Sequence, residues 1–154
     1  MTPDITRYPR LADLAARVGQ ELGSSAWLTI DQDRINLFAQ ATGDHQWIHT
    51  DPQRAAAGPF GAPIAHGFLT LSLLPLMFER SFAIDDVRMG VNYGLNRVRF
   101  VSPVRVGSRV RGRFKLLGYE PLDSGAQLTV EATIELEGAS KPACVAQTVS
   151  RRYT

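Results

Sequence analysis

All three histidines of the chain, His45, His49 and His66, fall within a single third of it, and Asp44 stands beside the first. Asp44 and His49 are five residues apart, so both side chains can reach one point if Trp47 and Ile48 anchor the segment inward. An imidazole that titrates near neutrality and a carboxylate sharing one water can divide a proton transfer between them, which suits adding or removing water. The third element is Ala65, His66 and Gly67, at the start of a long apolar segment. If that segment is a helix, its first N–H groups lack intrahelical partners and sit at the positive end of the dipole. The Gly67 amide could then hold a carbonyl oxygen as it gains negative charge. Taken singly, each residue also has a plainer use, as a surface histidine or a glycine in a tight turn.

Other polar groups carry weaker signals. His45 and His49 are four apart with Asp44 adjacent, and zinc accepts such ligands. That segment lacks helical character, no glutamate follows either histidine and no cysteine is near, so a metal-free site is expected. Cys144, the single cysteine, lies in an apolar run and reads as a buried structural thiol. Thr70 and Ser72 interrupt the apolar segment and can satisfy backbone carbonyls.

The elements that must position these groups follow from periodicity. Pro9, Leu11, Leu14, Ala15, Val18 and Gly19 predict a short amphipathic helix, and Ala26 to Ile30 a brief strand. Asp31 is placed to cap a second helix, carrying Ile35, Phe38, Ala39 and Thr42 on one face and ending at Gly43. Asp44 to Thr50 reads as a loop, and Asp51 with Pro52 opens a short helix running to Gly58. Gly67 to about Arg80 is apolar nearly all round, predicting a helix buried on most sides, with a kink or early end at Pro75. From Val87 the period becomes two, giving four long antiparallel strands that end in Lys141 to Tyr153. Helices first and strands last predict an α+β layering in which a sheet wraps around the central helix.

Length and charge bound what such a layering can do. A chain of 154 residues is one domain, spanning 1–154, with a radius of gyration of roughly 15 Å. A deep pocket in so thin a domain is expected to need a second subunit. The net charge of +2 is too small an excess to argue for nucleic acid. The segment Met1 to Arg10 mixes acids, bases and two prolines where a signal peptide needs an apolar run. The stretch Phe68 to Phe78 is too short to cross a bilayer. No membrane partner and a cytoplasmic location are therefore expected.

The run Ala41, Thr42, Gly43, Asp44, His45, Gln46, Trp47, Ile48, His49, followed by Ile64, Ala65, His66, Gly67, Phe68, Leu69, resembles the hydratase motif of the MaoC-like dehydratases. These are the (R)-specific enoyl-CoA hydratases, and the wording is nearest their NodN-like branch. The family pattern is glycine, aspartate, any residue, asparagine, proline, an aliphatic residue and histidine, with a histidine-glycine pair eighteen residues on. His49 to Gly67 keeps that interval, whereas Gln46 and Trp47 stand where the family has asparagine and proline. The resemblance extends from about Ile30 to Thr154, including Tyr93 to Phe100 with Pro103 and Gly107.

It implies a hotdog fold, an antiparallel sheet wrapped around a long central helix, assembled as a homodimer. It further implies an acyl-CoA thioester substrate and no separate cofactor, coenzyme A being part of the substrate. Carried over by residue, Asp44 and His49 activate water and Gly67 stabilises the thioester oxygen, with Gln46 and His66 beside the substrate. Between Arg88 and Tyr119 there are eight basic residues and no acidic ones. Most alternate with apolar residues as a solvated sheet face does, while Arg97 and Arg99 are candidates to hold coenzyme phosphates. The implied reaction is addition of water to a trans-2-enoyl-CoA to give an (R)-3-hydroxyacyl-CoA. An acyl-CoA thioesterase and a non-catalytic acyl-CoA or lipid-binding protein are the alternatives on the same scaffold.

Overall fold

The structure, a computed structural model, describes residues 4–154; the first three residues of the Met1–Arg10 segment lie outside the described residues. Four long strands, β5 (Met89–Phe100), β6 (Arg109–Leu122), β7 (Gly125–Leu136) and β8 (Cys144–Tyr153), form an antiparallel sheet, as their period-two pattern predicts. Two short strands, β2 (Glu21–Ser24) and β3 (Leu28–Thr29), both add to β6. The sheet order is β2-β6-β7-β8-β5, which leaves β5 along one edge. Its pairing with β8 slips in register on both sides of Gly94 and Leu95, the kind of irregularity that twists and bends a strand.

One face of this sheet is apolar. Val110, Phe114 and Leu116 of β6 and Leu128, Val130 and Ile134 of β7 are buried in the core. On the other face, Arg109 pairs with Glu137, Arg111 with Glu135, and Arg113 with both Glu21 and Glu135. These three arginines of the acid-free stretch are thus paired with acids from elsewhere in the chain, as expected of a solvated face, and each such pair contributes about 0–1 kcal/mol.

The central helix lies against the apolar face as α4 (Gly67–Ser72) and α5 (Leu74–Glu79), interrupted at Leu73 where Pro75 approaches. Leu69, Leu74 and Met77 are buried beneath it, and Phe78 stacks on Phe114 with centroids 4.1 Å apart. Such an aromatic pair adds about 0.5–1.5 kcal/mol to the area it buries. Burial is narrower than expected: Phe68 is 67% exposed, and Ser72 and Pro75 also face outward, so the outer side of this helix stays open.

The N-terminal third departs most from expectation. The first helix is a 3-10 helix over Leu11–Arg17, because Leu11 and Leu14, three apart, fall on one buried face at three residues per turn. Before it, β1 (Thr6–Tyr8) pairs in parallel with β4 (Phe82–Ile84), a non-local pairing that no local period announces. The brief strand expected at Ala26 to Ile30 is present in shortened form as β3, and β2 ahead of it was not expected. Helix α1 (Gln32–Thr42) forms as expected, with the Asp31 carboxylate accepting the Arg34 N–H at 2.8 Å and Gly43 ending it in the left-handed region. The loop expected over Asp44 to Thr50 holds a helical turn, α2 (Trp47–Thr50), and α3 (Pro52–Ala56) follows with Asp51 as its cap.

Candidate active site

Helix α1 delivers Asp44 just past its last turn, and α2 lifts His49 toward the core. The turn forms because Gln46 supplies its carbonyl to the N–H groups of His49 and Thr50 at 3.0 and 3.3 Å, while Thr50 Oγ1 donates to the carbonyl of His45 at 3.0 Å. Gln46 serves through its main chain and stays exposed. Its own N–H donates to Asp44 Oδ1 at 3.3 Å, which orients the carboxylate. The segment before the central helix is tied in from two sides. Ile64 N–H donates to Ile48 O at 3.0 Å and Ala65 N–H to Val104 O at 2.8 Å, which fixes His66 and Gly67 beside His49.

His49 and His66 are both buried, their rings stacked with centroids 3.9 Å apart and planes 24° from parallel. His49 Nδ1 lies 2.7 Å from the Ile64 carbonyl. A carbonyl only accepts, so this nitrogen carries the proton and Nε2 keeps its lone pair. The same logic holds for His66, whose Nε2 donates to the Asp44 carbonyl at 2.9 Å, leaving Nδ1 buried without a partner. Phe38 packs on the other side of the His66 ring. Burial holds the His49 imidazole below the ordinary histidine range, partly offset by its bond to Ile64; the nearby His66 lowers it further and Asp44 raises it. His49 is accordingly neutral at pH 7, with a free nitrogen lone pair.

One nitrogen or carboxylate oxygen from each of Asp44, His49 and His66 lies within 4.8 Å of the other two, close enough to share one water. Among the described residues this is also the group that could offer three ligand atoms to an ion. His45, the histidine that the spacing had paired with His49, is exposed and outside the cluster. Gly67 opens α4 beside these groups. A Cβ on it would come within 3.1 Å of the Phe100 ring, so helix and edge strand approach closely here and a larger residue needs that ring to give way.

Trp47, where a proline was expected from the motif, occupies the first position of α2, where an N–H has no intrahelical partner and proline would also fit. Its ring is clasped between the Arg54 guanidinium, 4.4 Å from the centroid, and Gly58, where a Cβ would come within 2.9 Å.

Arg97 and Arg99 project from the edge strand β5, both exposed, and no hydrogen bond or ion pair joins them to the cluster; Arg99 Nη1 donates to the Val98 carbonyl at 2.7 Å. Two contributors were missed in the sequence. Gln32 Nε2 donates to the His49 carbonyl at 2.8 Å from seventeen residues away, and Phe38 backs His66. Phe38 belonged to a recognised helix face, whereas nothing in the chain marks Gln32.

Comparison with known proteins follows the same outline. The family model described as MaoC like domain matches residues 13–138. The 3-hydroxyacyl-thioester dehydratase Z of Mycobacterium tuberculosis (strain ATCC 25618 / H37Rv) is 56% identical over 145 residues, covering 94% of this chain and 96% of the relative. Nodulation protein N of Rhizobium leguminosarum bv. viciae is 54% identical over 145 residues, covering 91% and 89%. Among solved structures, the (R)-hydratase from A. caviae involved in PHA biosynthesis superposes with a TM-score of 0.69 at 24% identity, over 86% of this chain and 94% of that one. At that identity the likeness carries the fold, which is the hotdog arrangement expected.

Proposed function

Given that the chain belongs to the MaoC-like dehydratases, hydro-lyases of acyl thioesters, we propose that it adds water reversibly to a trans-2-enoyl-CoA, giving an (R)-3-hydroxyacyl-CoA. The observation that carries this reading is the gathering of one ring nitrogen of His49, one of His66 and an Asp44 carboxylate oxygen within 4.8 Å of one another, with His66 itself the residue that precedes Gly67 at the start of α4. In the hydration direction, Asp44 and His49 hold one water and His49 Nε2 accepts a proton from it. The water oxygen bonds to the β-carbon as the α,β double bond becomes the enolate. The negative charge that develops on the thioester oxygen is met by the Gly67 N–H, and a proton returned to the α-carbon completes the addition. Dehydration runs the same steps backward.

His66, buried against His49, holds the Asp44 main chain and the His49 ring in place beside the substrate. The reaction calls for no resident cofactor, coenzyme A entering with the substrate. Arg97 and Arg99 are retained as the groups that meet its phosphates, being exposed and without acid partners among the described residues. The homodimer expected from the resemblance is supported by β5, a long edge strand that exposes Met89, Val91, Tyr93 and Leu95. No helix among the described residues is long and apolar enough to cross a membrane, and one buried thiol is in keeping with a cytoplasmic location.

Product chirality tests the assignment. Hydrated crotonyl-CoA, offered to dehydrogenases specific for each 3-hydroxyacyl enantiomer, is expected to be oxidised by the (R)-specific enzyme. Oxidation by the (S)-specific enzyme, or release of free thiol without hydration, would contradict it, the latter in favour of a thioesterase.

A further inference from the structure

Along β8, Cys144, Ala146 and Ser150 are buried in step on the helix-facing side of the sheet, and Arg152 continues that side as a cation. Its guanidinium lies 5.9 Å from the centre of the Phe78 ring, in space left open by Gly90, where a Cβ would collide with Nη1. The Nε is buried without a hydrogen-bond partner. No carboxylate among the described residues pairs with it, although Arg109, Arg111 and Arg113 on the outer face all have acid partners. Burial also holds this guanidinium below its ordinary value. A cation placed on an apolar face with nothing to pair with is costly unless a ligand supplies the partner.

Two grooves, each of about 400 Å³, meet at Arg152. The first follows the outer side of the central helix past Leu71, Ser72 and Pro75, between it and Tyr93 and Leu95 of β5. The second continues past Phe82 and Val87; the exposed Glu79 is also in its wall and makes no ion pair with Arg152. Helix α4–α5 leads from Gly67, at the reactive end, to Phe78 beside the guanidinium, about 16 Å at 1.5 Å per residue. Walls that are apolar along Leu71, Leu74, Pro75 and Phe78, with Ser72 and Thr148 among them, and one cation without an acid partner at the end distant from the reacting carbons match a chain that is mainly hydrocarbon along its length and anionic at its tip.

We propose that Arg152 determines specificity at the far end of the acyl chain, pairing with a carboxylate carried by the terminal carbon of a medium-length acyl thioester. This rests on the hydratase reading, in that the groove beside the central helix is taken to hold the acyl chain. A guanidinium can meet a carboxylate through two parallel N–H donors, whereas a plain methyl end would leave the half-buried cation unpaired.

The test is a binding comparison by calorimetry with two saturated, unreactive probes, decanoyl-CoA and the CoA monothioester of decanedioic acid. Wild-type protein is expected to bind the carboxylated probe at least roughly tenfold more tightly, the effect of one charge-assisted hydrogen-bonded pair. Arg152→Met is expected to lose or invert that preference and Arg152→Lys to keep part of it, with thermal melting confirming that each variant folds. Equal binding of the two probes by wild type, a preference for decanoyl-CoA, or an undiminished preference in Arg152→Met would overturn the proposal. Should Arg152→Met fail to fold, the wild-type ratio and the Lys variant still decide. Hydration of crotonyl-CoA by wild type is measured alongside: its absence would count against the hydratase reading, while the binding ratio would still speak for or against Arg152.

Discussion

The His49 ring stacks on the His66 ring at 3.9 Å, and each ring gives one N–H to a main-chain carbonyl, His49 to Ile64 and His66 to Asp44. One histidine is thereby held with its Nε2 lone pair free in a cluster that includes the Asp44 carboxylate, and the other fastens the residue that bears that carboxylate.

His66→Phe keeps the stacked ring and removes the donor to Asp44. A lost hydrogen bond of about 1 kcal/mol should loosen the Asp44 segment and lower kcat toward crotonyl-CoA by roughly 5–10-fold, with KM little changed. Steady-state kinetics check this. An unchanged kcat would mean that the Asp44 main chain needs no anchor.

The depressed His49 value sets two pH dependences. As a base it must be neutral, so kcat/KM should rise with pH through an inflection below the ordinary histidine value of about 6.5 and stay level above it. Stability has the same sign. Because the folded pKa is lowered, the unfolded chain binds the proton more readily. The His49 contribution is complete above about 6.5 and is lost as pH falls through the lower folded value. Urea melts of wild type and His49→Gln between pH 5 and 8 should diverge at neutral pH and converge toward the acid end; parallel curves would refute the linkage.

Gly67→Ala places a Cβ within 3.1 Å of the Phe100 ring. Overpacking in a closed core costs about 1–3 kcal/mol, and against the half-exposed Phe100 ring the cost should fall at or below the low end of that range, with Gly67→Ala/Phe100→Leu restoring part of it. Thermal denaturation of the single and double variants measures the coupling, and strict additivity would show that the two residues do not constrain each other.

Trp47→Pro restores the motif's proline at the first position of α2. Proline is tolerated there, so the turn should form, while the Arg54 stacking and the fit against Gly58 are lost. The expected cost is about 1 kcal/mol or a little more, with secondary structure by circular dichroism unchanged. A collapse of the fold would mean that the Trp47 N–H has a structural duty.

What was legible in the chain was whatever local spacing encodes. Val110, Phe114 and Leu116 against Arg109, Arg111 and Arg113 announced a one-sided strand, and Asp31 with Gly43 bracketed α1 to the residue. Pro75 marked the interruption of the central helix, and the motif put Asp44, His49, His66 and Gly67 in one place. Non-local choices were hidden. The parallel pairing of Thr6–Tyr8 with Phe82–Ile84 joins segments more than seventy residues apart, and the reach of Gln32 to the His49 carbonyl depends on how α1 crosses α2. His66 was legible as a residue of the site but not as its anchor, because that role comes from burial and from which carbonyl its ring meets.

The central claim is that Asp44 and His49 together activate water toward an enoyl thioester. The most direct measurement is the loss of crotonyl-CoA absorbance catalysed by wild type, Asp44→Asn and His49→Ala, each first shown to be folded by its melting curve. Removing a proton-transfer group should cost about 10²–10⁴-fold, so both variants are expected to fall by at least a hundredfold while wild type turns over. Undiminished hydration in both variants would contradict the account.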